Sequence, residues 1–169
     1  GVNASSSALG IGSGLGGPAR HIAATVGAQV TALELQSDQN LLASNLTDRC
    51  GLAEKVTHVC GDFLTYNWAG QRFDVILSWL ALYHIPDRDV LLNRCYSLLD
   101  QGGYLHAEDL YARVQFTDGE QSELATELFA SYLPDYESYC QDLERAGFKL
   151  VSCQEMSDEW TVFTRERMT

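Results

Sequence analysis

Strand-type and helix-type segments alternate along most of this 169-residue chain. That pattern predicts an α/β fold with a mainly parallel sheet covered by helices on both faces. Two stretches sharpen it to a doubly wound, three-layer arrangement. Residues 8 to 35 read as a strand, a glycine-rich turn, a helix, a second strand and a terminal acid, which is a βαβ unit. The run Arg72-Phe-Asp-Val-Ile-Leu-Ser-Trp79 is mostly apolar, as a strand buried on both faces must be.

Gly1 to Ser7 reads as a flexible leader whose Asn3-Ala-Ser sequon is a chance match, and residues 8–169 as one domain. Gly12, Gly14, Gly16 and Gly17 allow a sharp turn and close backbone approach to a ligand. Pro18 suits a first helical turn, where its missing N–H is no loss. The strand from Gln29 to Leu33 then ends at Glu34. Ser37 is placed as the N-cap of a helix from Asp38 to Cys50, with Leu41, Leu42, Asn45 and Leu46 at helical spacing and Gly51 as its stop. Lys55 to Cys60 is a third strand and Arg72 to Trp79 a fourth. Asp87 caps a helix to Leu99 with Val90, Leu91, Cys95, Leu98 and Leu99 on its inner side. Asp100-Gln-Gly-Gly103 reads as a turn into a fifth strand, Tyr104 to Glu108. Leu110 to Gly119 is a loop, Glu120 to Leu133 a helix, and Asp135 the cap of a helix through Ala146, closed by Gly147. Phe148 to Gln154 reads as a sixth strand, and Ser157 to Met168 as a helix with Ser157 as its cap and Glu159 and Glu166 on its wet face.

A net charge of −12 with 46% hydrophobic residues describes a globular domain ill-suited to nucleic acid, whose phosphates would repel it. Five scattered cysteines without a CxxC pair fit free thiols in a reducing, cytoplasmic setting. No secretory signal and no membrane-spanning apolar run is visible.

Gly12-x-Gly14-x-x-Gly17 followed by Glu34 describes a nucleoside-binding unit, with Glu34 placed to accept both ribose hydroxyls. Alone, it leaves NAD and S-adenosylmethionine both open. Gly61-Asp62-Phe63, at the end of strand three, adds a carboxylate for an adenine amino group and a ring to cover the base. The strand ending at Ser78-Trp79 delivers a loop back over the cofactor. His84 on that loop is the candidate base, because an imidazole exchanges protons near neutral pH; bracing the helix near Pro86 and Asp87 is its structural alternative. Tyr83 and Tyr111 are substrate-side candidates whose aromatic faces can hold an ammonium group, with core packing as the bland alternative. Glu108 and Asp109 can pair with a cationic amine, bind a metal, cap a helix or face solvent. No His or Cys cluster supports a metal site. His21 and His58 read as structural; His106 sits near the site or, the preferred reading, in the core.

Five pieces carry a family resemblance: Gly12-Ser-Gly-Leu-Gly-Gly-Pro-Ala-Arg, Cys50-Gly-Leu-Ala-Glu-Lys-Val, Tyr83-His84-Ile-Pro-Asp, Gly102-Gly-Tyr-Leu and Ser157-Asp-Glu-Trp. In them the chain resembles the class I S-adenosylmethionine-dependent methyltransferases over nearly all of residues 8–160. Within that class it looks most like the small-amine N-methyltransferases, of the sarcosine/dimethylglycine or phosphoethanolamine type. The resemblance implies a Rossmann-like sheet, S-adenosylmethionine as cofactor and a small-molecule amine as methyl acceptor, with neither nucleic acid nor membrane as partner. Gly12, Ser13 and Gly14 would lie against the methionine moiety, and Glu34 would hold the ribose. Leu35 and Phe63 would sandwich the adenine, Asp62 would meet its amino group, and Ser78 and Trp79 would line the sulfonium. Gly10 stands where the family carries an acid. The family's N-terminal helical cap, and strand seven if the last segment is helical, are expected to be missing. A phosphobase enzyme, a catalytically weak cofactor-binding fragment and, more distantly, an NAD-dependent oxidoreductase remain as alternatives.

Overall fold

The computed structural model describes residues 2–130 and 132–167. Gly1, Ser131 and Met168, which fall in the expected leader, fourth helix and last helix, lie outside the described residues. Five strands form one sheet: β1 (Ser7–Ile11), β2 (Gln29–Glu34), β3 (Val56–Cys60), β4 (Phe73–Trp79) and β5 (Leu99–Glu108). Their order is β3-β2-β1-β4-β5, and every pairing is parallel.

Alternate residues of each strand face opposite layers. Leu9, Ile11, Leu33 and Ile76 pack with Leu91, Cys95 and Leu98 of α3 (Arg88–Leu98) on one face. Ala8, Val30, Ala32, Val75 and Leu77 meet Ala19 and Ala23 of α1 (Gly17–Val26) on the other. The alanines on both sides of that second interface let α1 lie close to the sheet. α2 (Ser37–Arg49) buries Ala43 and Thr47, one turn apart, while Leu41 and Leu42 are exposed. The expected leucine stripe was therefore the wrong face. Ser37 is the first helical residue rather than the cap; Gln36 precedes the helix and supplies no side-chain cap.

Asp100–Gly103 is no turn between elements. It is a bulge inside a longer β5, with Phe73 opposite Leu99 but Val75 opposite Tyr104. Gly102 takes φ +80°, and a Cβ on Gly103 would stand 2.9 Å from the Asp74 carbonyl oxygen, so both glycines are required there. His106 on β5 is exposed, not a core residue. α4 (Asp118–Glu127) starts earlier than its sequence suggests, because Thr117 and Glu120 form a reciprocal capping box, and it ends at Glu127 rather than Leu133. α5 (Tyr136–Arg145) begins at Asp135, whose carboxylate accepts the Ser138 amide at 2.8 Å.

Phe148–Gln154 is not a strand. It runs in irregular conformation with Leu150 and Val151 exposed, since a strand needs a partner for its backbone and none lies beside it among the described residues. α6 (Ser157–Arg167) is helical as expected, with Ser157 as its first residue and no buried side chain. No helix among the described residues is long and apolar enough to cross a membrane.

Candidate functional site at the carboxyl edge of the sheet

Strand order reverses at β1, which lies between β2 and β4. In such sheets ligands enter the crevice outside the carboxyl ends of the strands at that point. The glycine turn leaves β1 there. The Ser13 amide donates to the Leu33 carbonyl at 2.9 Å and the Gly16 amide to the Ser13 carbonyl at 2.8 Å, folding the turn over the end of β2. Gly12 has φ +65°, and a Cβ on it would lie 2.3 Å from the Ala81 Cβ, so the loop after β4 crosses directly against the glycine turn.

Glu34 ends β2 and is 7% exposed. Its Oε2 accepts the Gly14 amide at 2.7 Å and its Oε1 the Gln36 amide at 2.9 Å. A carboxylate offers about four lone-pair sites, so each oxygen can still accept a ribose hydroxyl. This donor-and-acceptor set fits a nucleoside. Gly10 lies within β1, where a Cβ would meet only the Thr31 carbonyl oxygen at 3.9 Å. The position therefore has room for the Cβ of a larger residue.

Around the base position, Leu35 is 68% exposed and free to cover a ring. Asp62 is exposed, with Oδ1 accepting the Leu64 amide at 2.8 Å. Phe63 departs from its expected role. Its side chain is 3% exposed and packed in the core with Trp68 and Phe73, so its ring is not available as the second slice of an adenine sandwich. The apolar layer beneath the sheet draws the phenyl in. The Ser78 hydroxyl is also committed inward, donating to the Ile11 carbonyl at 3.1 Å while wholly buried. Ser78 thus ties β4 to β1 beneath the crevice and has no free side chain for a ligand. Trp79 packs against the alanine-rich core and lies 5.9 Å from the His106 ring.

The loop after β4 carries the remaining candidates. Leu82 is fully buried and anchors a short 3-10 turn, Leu82–His84. His84 is exposed at its end, its ring centroid 4.0 Å from that of Tyr83. The Tyr83 amide donates to Asp109 Oδ1 at 3.2 Å, and burial followed by the Asp109 charge raises the Tyr83 phenol. Tyr111 is half-buried and edge-on to Tyr136 at 6.3 Å.

Asp109 is not free to pair with an amine. Its side chain is 3% exposed, accepts the Tyr139 hydroxyl at 2.9 Å and faces Arg88 at 3.6 Å. Burial lifts its carboxyl above the ordinary range, opposed by the Tyr139 hydroxyl and the Arg88 charge. Burial, then the Asp109 charge, pushes the Tyr139 phenol strongly up. Arg88, Tyr139 and Asp142 went unnoticed in the sequence. A signal was present: Asp142 lies on the inner stripe of α5 with Tyr139, Leu143 and Ala146, and a carboxylate on such a stripe implies a buried cation. Glu108 supplies its carbonyl to the Leu80 amide at 2.8 Å. Among the described residues no three His, Cys, Asp or Glu side chains gather around a metal-sized point. His58 has a structural position, 2.7 Å from the Thr47 hydroxyl.

Residues 9–107 match a methyltransferase domain family. The chain is 30% identical over 103 residues to a sterol 24-C-methyltransferase from Eremothecium gossypii, covering 61% of this chain and 28% of that protein. It is 26% identical over 166 residues to the methyltransferase GfsG of Streptomyces halstedii, covering 94% of this chain and 58% of GfsG. The chain thus spans less than two thirds of either relative. Phosphoethanolamine N-methyltransferase 2 of Haemonchus contortus, in complex with S-adenosyl-L-methionine, superposes with TM-score 0.88 at 24% identity, covering 99% of this chain and 39% of that one. A putative sarcosine dimethylglycine methyltransferase from Galdieria sulphuraria gives TM-score 0.81 at 20% identity, covering 89% and 57%. With the glycine turn, Glu34 and the reversal of strand order all inside the matched segment, this chain belongs to the methyltransferase domain family.

Proposed function

We propose that the chain binds S-adenosylmethionine and transfers its methyl group to a small-molecule amine. The observation that carries this reading is the contact between the two halves of the site. Gly12 abuts Ala81, three residues before His84, so the nucleoside cradle and the acceptor loop share one crevice.

Glu34 binds the ribose, Asp62 the adenine amino group, and Leu35 covers one face of the base. The turn Gly12-Ser13-Gly14 brings backbone alongside the methionine portion. When bound, the cofactor supplies a methyl group already activated on sulfur, so this chain's task is alignment and exclusion of water. His84 accepts the acceptor's proton on an imidazole nitrogen, while the Tyr83 ring, tilted against it, presents an aromatic face to an ammonium. Tyr111 lies farther along the same edge of the sheet.

A second reading, transfer to a larger, partly apolar molecule, is favoured by a cavity of about 410 Å³ where Val114, Phe116, Leu124 and Leu133 share the wall with Arg113, Gln121 and Asp135. It also agrees with the sterol methyltransferases among the relatives.

Titration with S-adenosylhomocysteine and with NAD tests the cofactor; heat from the first alone is expected. Labelled methyl transfer to sarcosine, dimethylglycine, ethanolamine, phosphoethanolamine and a sterol then tests the acceptor. An amine should be methylated, at least about tenfold more slowly by His84→Ala. NAD binding without a response to S-adenosylhomocysteine would overturn the reading, and turnover of the sterol alone would replace the amine by the apolar acceptor.

A further inference from the structure

One buried carboxylate collects donors from three other parts of the fold. Asp109, just past the end of β5, accepts the Tyr83 amide from the acceptor loop at 3.2 Å and the Tyr139 hydroxyl from α5 at 2.9 Å. It also faces the Arg88 guanidinium from the start of α3 at 3.6 Å. Arg88 is itself fixed on two further sides. Its guanidinium carbon lies 3.8 Å above the Tyr139 ring centroid, and its Nε is 3.4 Å from Asp142. Asp142 continues to Arg145 at 2.6 Å, and Arg145 returns to Asp89 on α3 at 3.1 Å. The chain of contacts thus joins α3, α5, the end of β5 and the loop that carries His84.

The loop is also held in an uncommon shape. Leu80 and Asp87, one at each end of it, take φ +52° and +57° without being glycine. Such residues persist only where the surroundings over-determine them. Asp87 has a local reason, since its carboxylate accepts the Val90 amide and caps α3. Leu80 has no side-chain compensation of that kind; its amide is tied to the Glu108 carbonyl next to Asp109. A buried ion pair contributes little stability over an apolar replacement of the same volume. The cluster is therefore poorly explained as a stabilising device, whereas its hydrogen bond to the acceptor loop falls on the residue beside His84.

We propose that Asp109, held by Arg88 and Tyr139, is a positioning residue. It fixes the Tyr83 amide and so sets where the Tyr83–His84 pair stands relative to the cofactor crevice. The proposal rests on the reading of His84 as the proton-accepting group. Through Tyr139 and Asp142, α5 becomes the outer support of the acceptor side.

Two variants and two readouts test it. Tyr139→Phe removes one hydrogen bond and leaves the ring under Arg88; Asp109→Asn removes the charge while keeping the shape. Amide hydrogen exchange at Tyr83 and His84 should rise at least about fivefold in Tyr139→Phe and further in Asp109→Asn, with Leu9 and Ile76 in the central strands unchanged. In the methyl-transfer assay kcat should fall about tenfold or more, while S-adenosylhomocysteine affinity stays within about twofold. Unchanged exchange at Tyr83 overturns the proposal, as does faster exchange with undiminished kcat or a parallel rise at Leu9 and Ile76. The two failures separate cleanly. Wild-type chain without turnover sinks the methyl-transfer reading, whereas His84-dependent turnover indifferent to Asp109→Asn sinks only the positioning role.

Discussion

A methyl group added at residue 12 would collide with the Ala81 Cβ, and the left-handed backbone there disfavours any side chain by about 1–2 kcal/mol. Gly12→Ala should therefore lower stability by at least that amount in urea denaturation and displace the loop carrying His84. Loss of S-adenosylhomocysteine binding in titration should accompany it. His58 gives a pH prediction. Burial, then the Arg20 charge, lowers its imidazole below the usual value near 6.5, with Asp48 opposing. Below that pH the unfolded chain takes up this proton before the folded one does, so stability falls as pH drops from about 6.5 towards the folded value. His58→Gln should flatten this part of a stability–pH profile, and an unaltered slope would assign it to other groups. Residue-scale chemistry was legible only where it is local in sequence. Glu34 closes β2 and Asp62 follows the end of β3, both ends that the apolar pattern marks. The inward turn of Phe63 and of the Ser78 hydroxyl depends on which neighbours lie beneath, and no spacing encodes that.

At the scale of elements, Ser78 and Ile11 link two strands that are far apart in the chain. Ser78→Ala leaves the Ile11 carbonyl without this donor and should cost about 1–3 kcal/mol in denaturant unfolding. A cost near zero would mean that the hydrogen bond is replaced within the ladder. Strands β1 to β4 were readable because each is a short apolar run bounded by glycine, proline or charge. α2 was located correctly but turned the wrong way, since its buried stripe is Ala43 and Thr47 and hydrophobicity alone points to Leu41 and Leu42. The glycines at 102 and 103 carry a turn signal that β5 uses for a bulge. Phe148–Gln154 has strand composition without a strand beside it, and pairing, which is non-local, decides strand formation.

For the molecule as a whole, 23 acidic against 11 basic residues give a self-repelling surface. Raising salt from about 0.01 M to 0.15 M shortens the Debye length from about 30 Å to 8 Å. The melting temperature should rise over that interval, and a fall would show that attractive pairs such as Arg145 with Asp89 outweigh the repulsion. Arg145, Arg88, Asp109 and Tyr139 also mark the limit of reading a site from sequence, because their partnership spans three elements and exists only once the chain has folded. Glu34 shows the opposite case. The Gly14 and Gln36 amides hold both its oxygens through protein contacts alone, so its rotamer is chosen before any nucleoside arrives. Freezing a long side chain on binding ordinarily costs about 0.5–1.5 kcal/mol, and here folding has already met that cost. A ribose bound as proposed would meet a carboxylate that is already preorganised. Shortening the side chain by one methylene, as in Glu34→Asp, should weaken affinity through lost alignment although the charge remains.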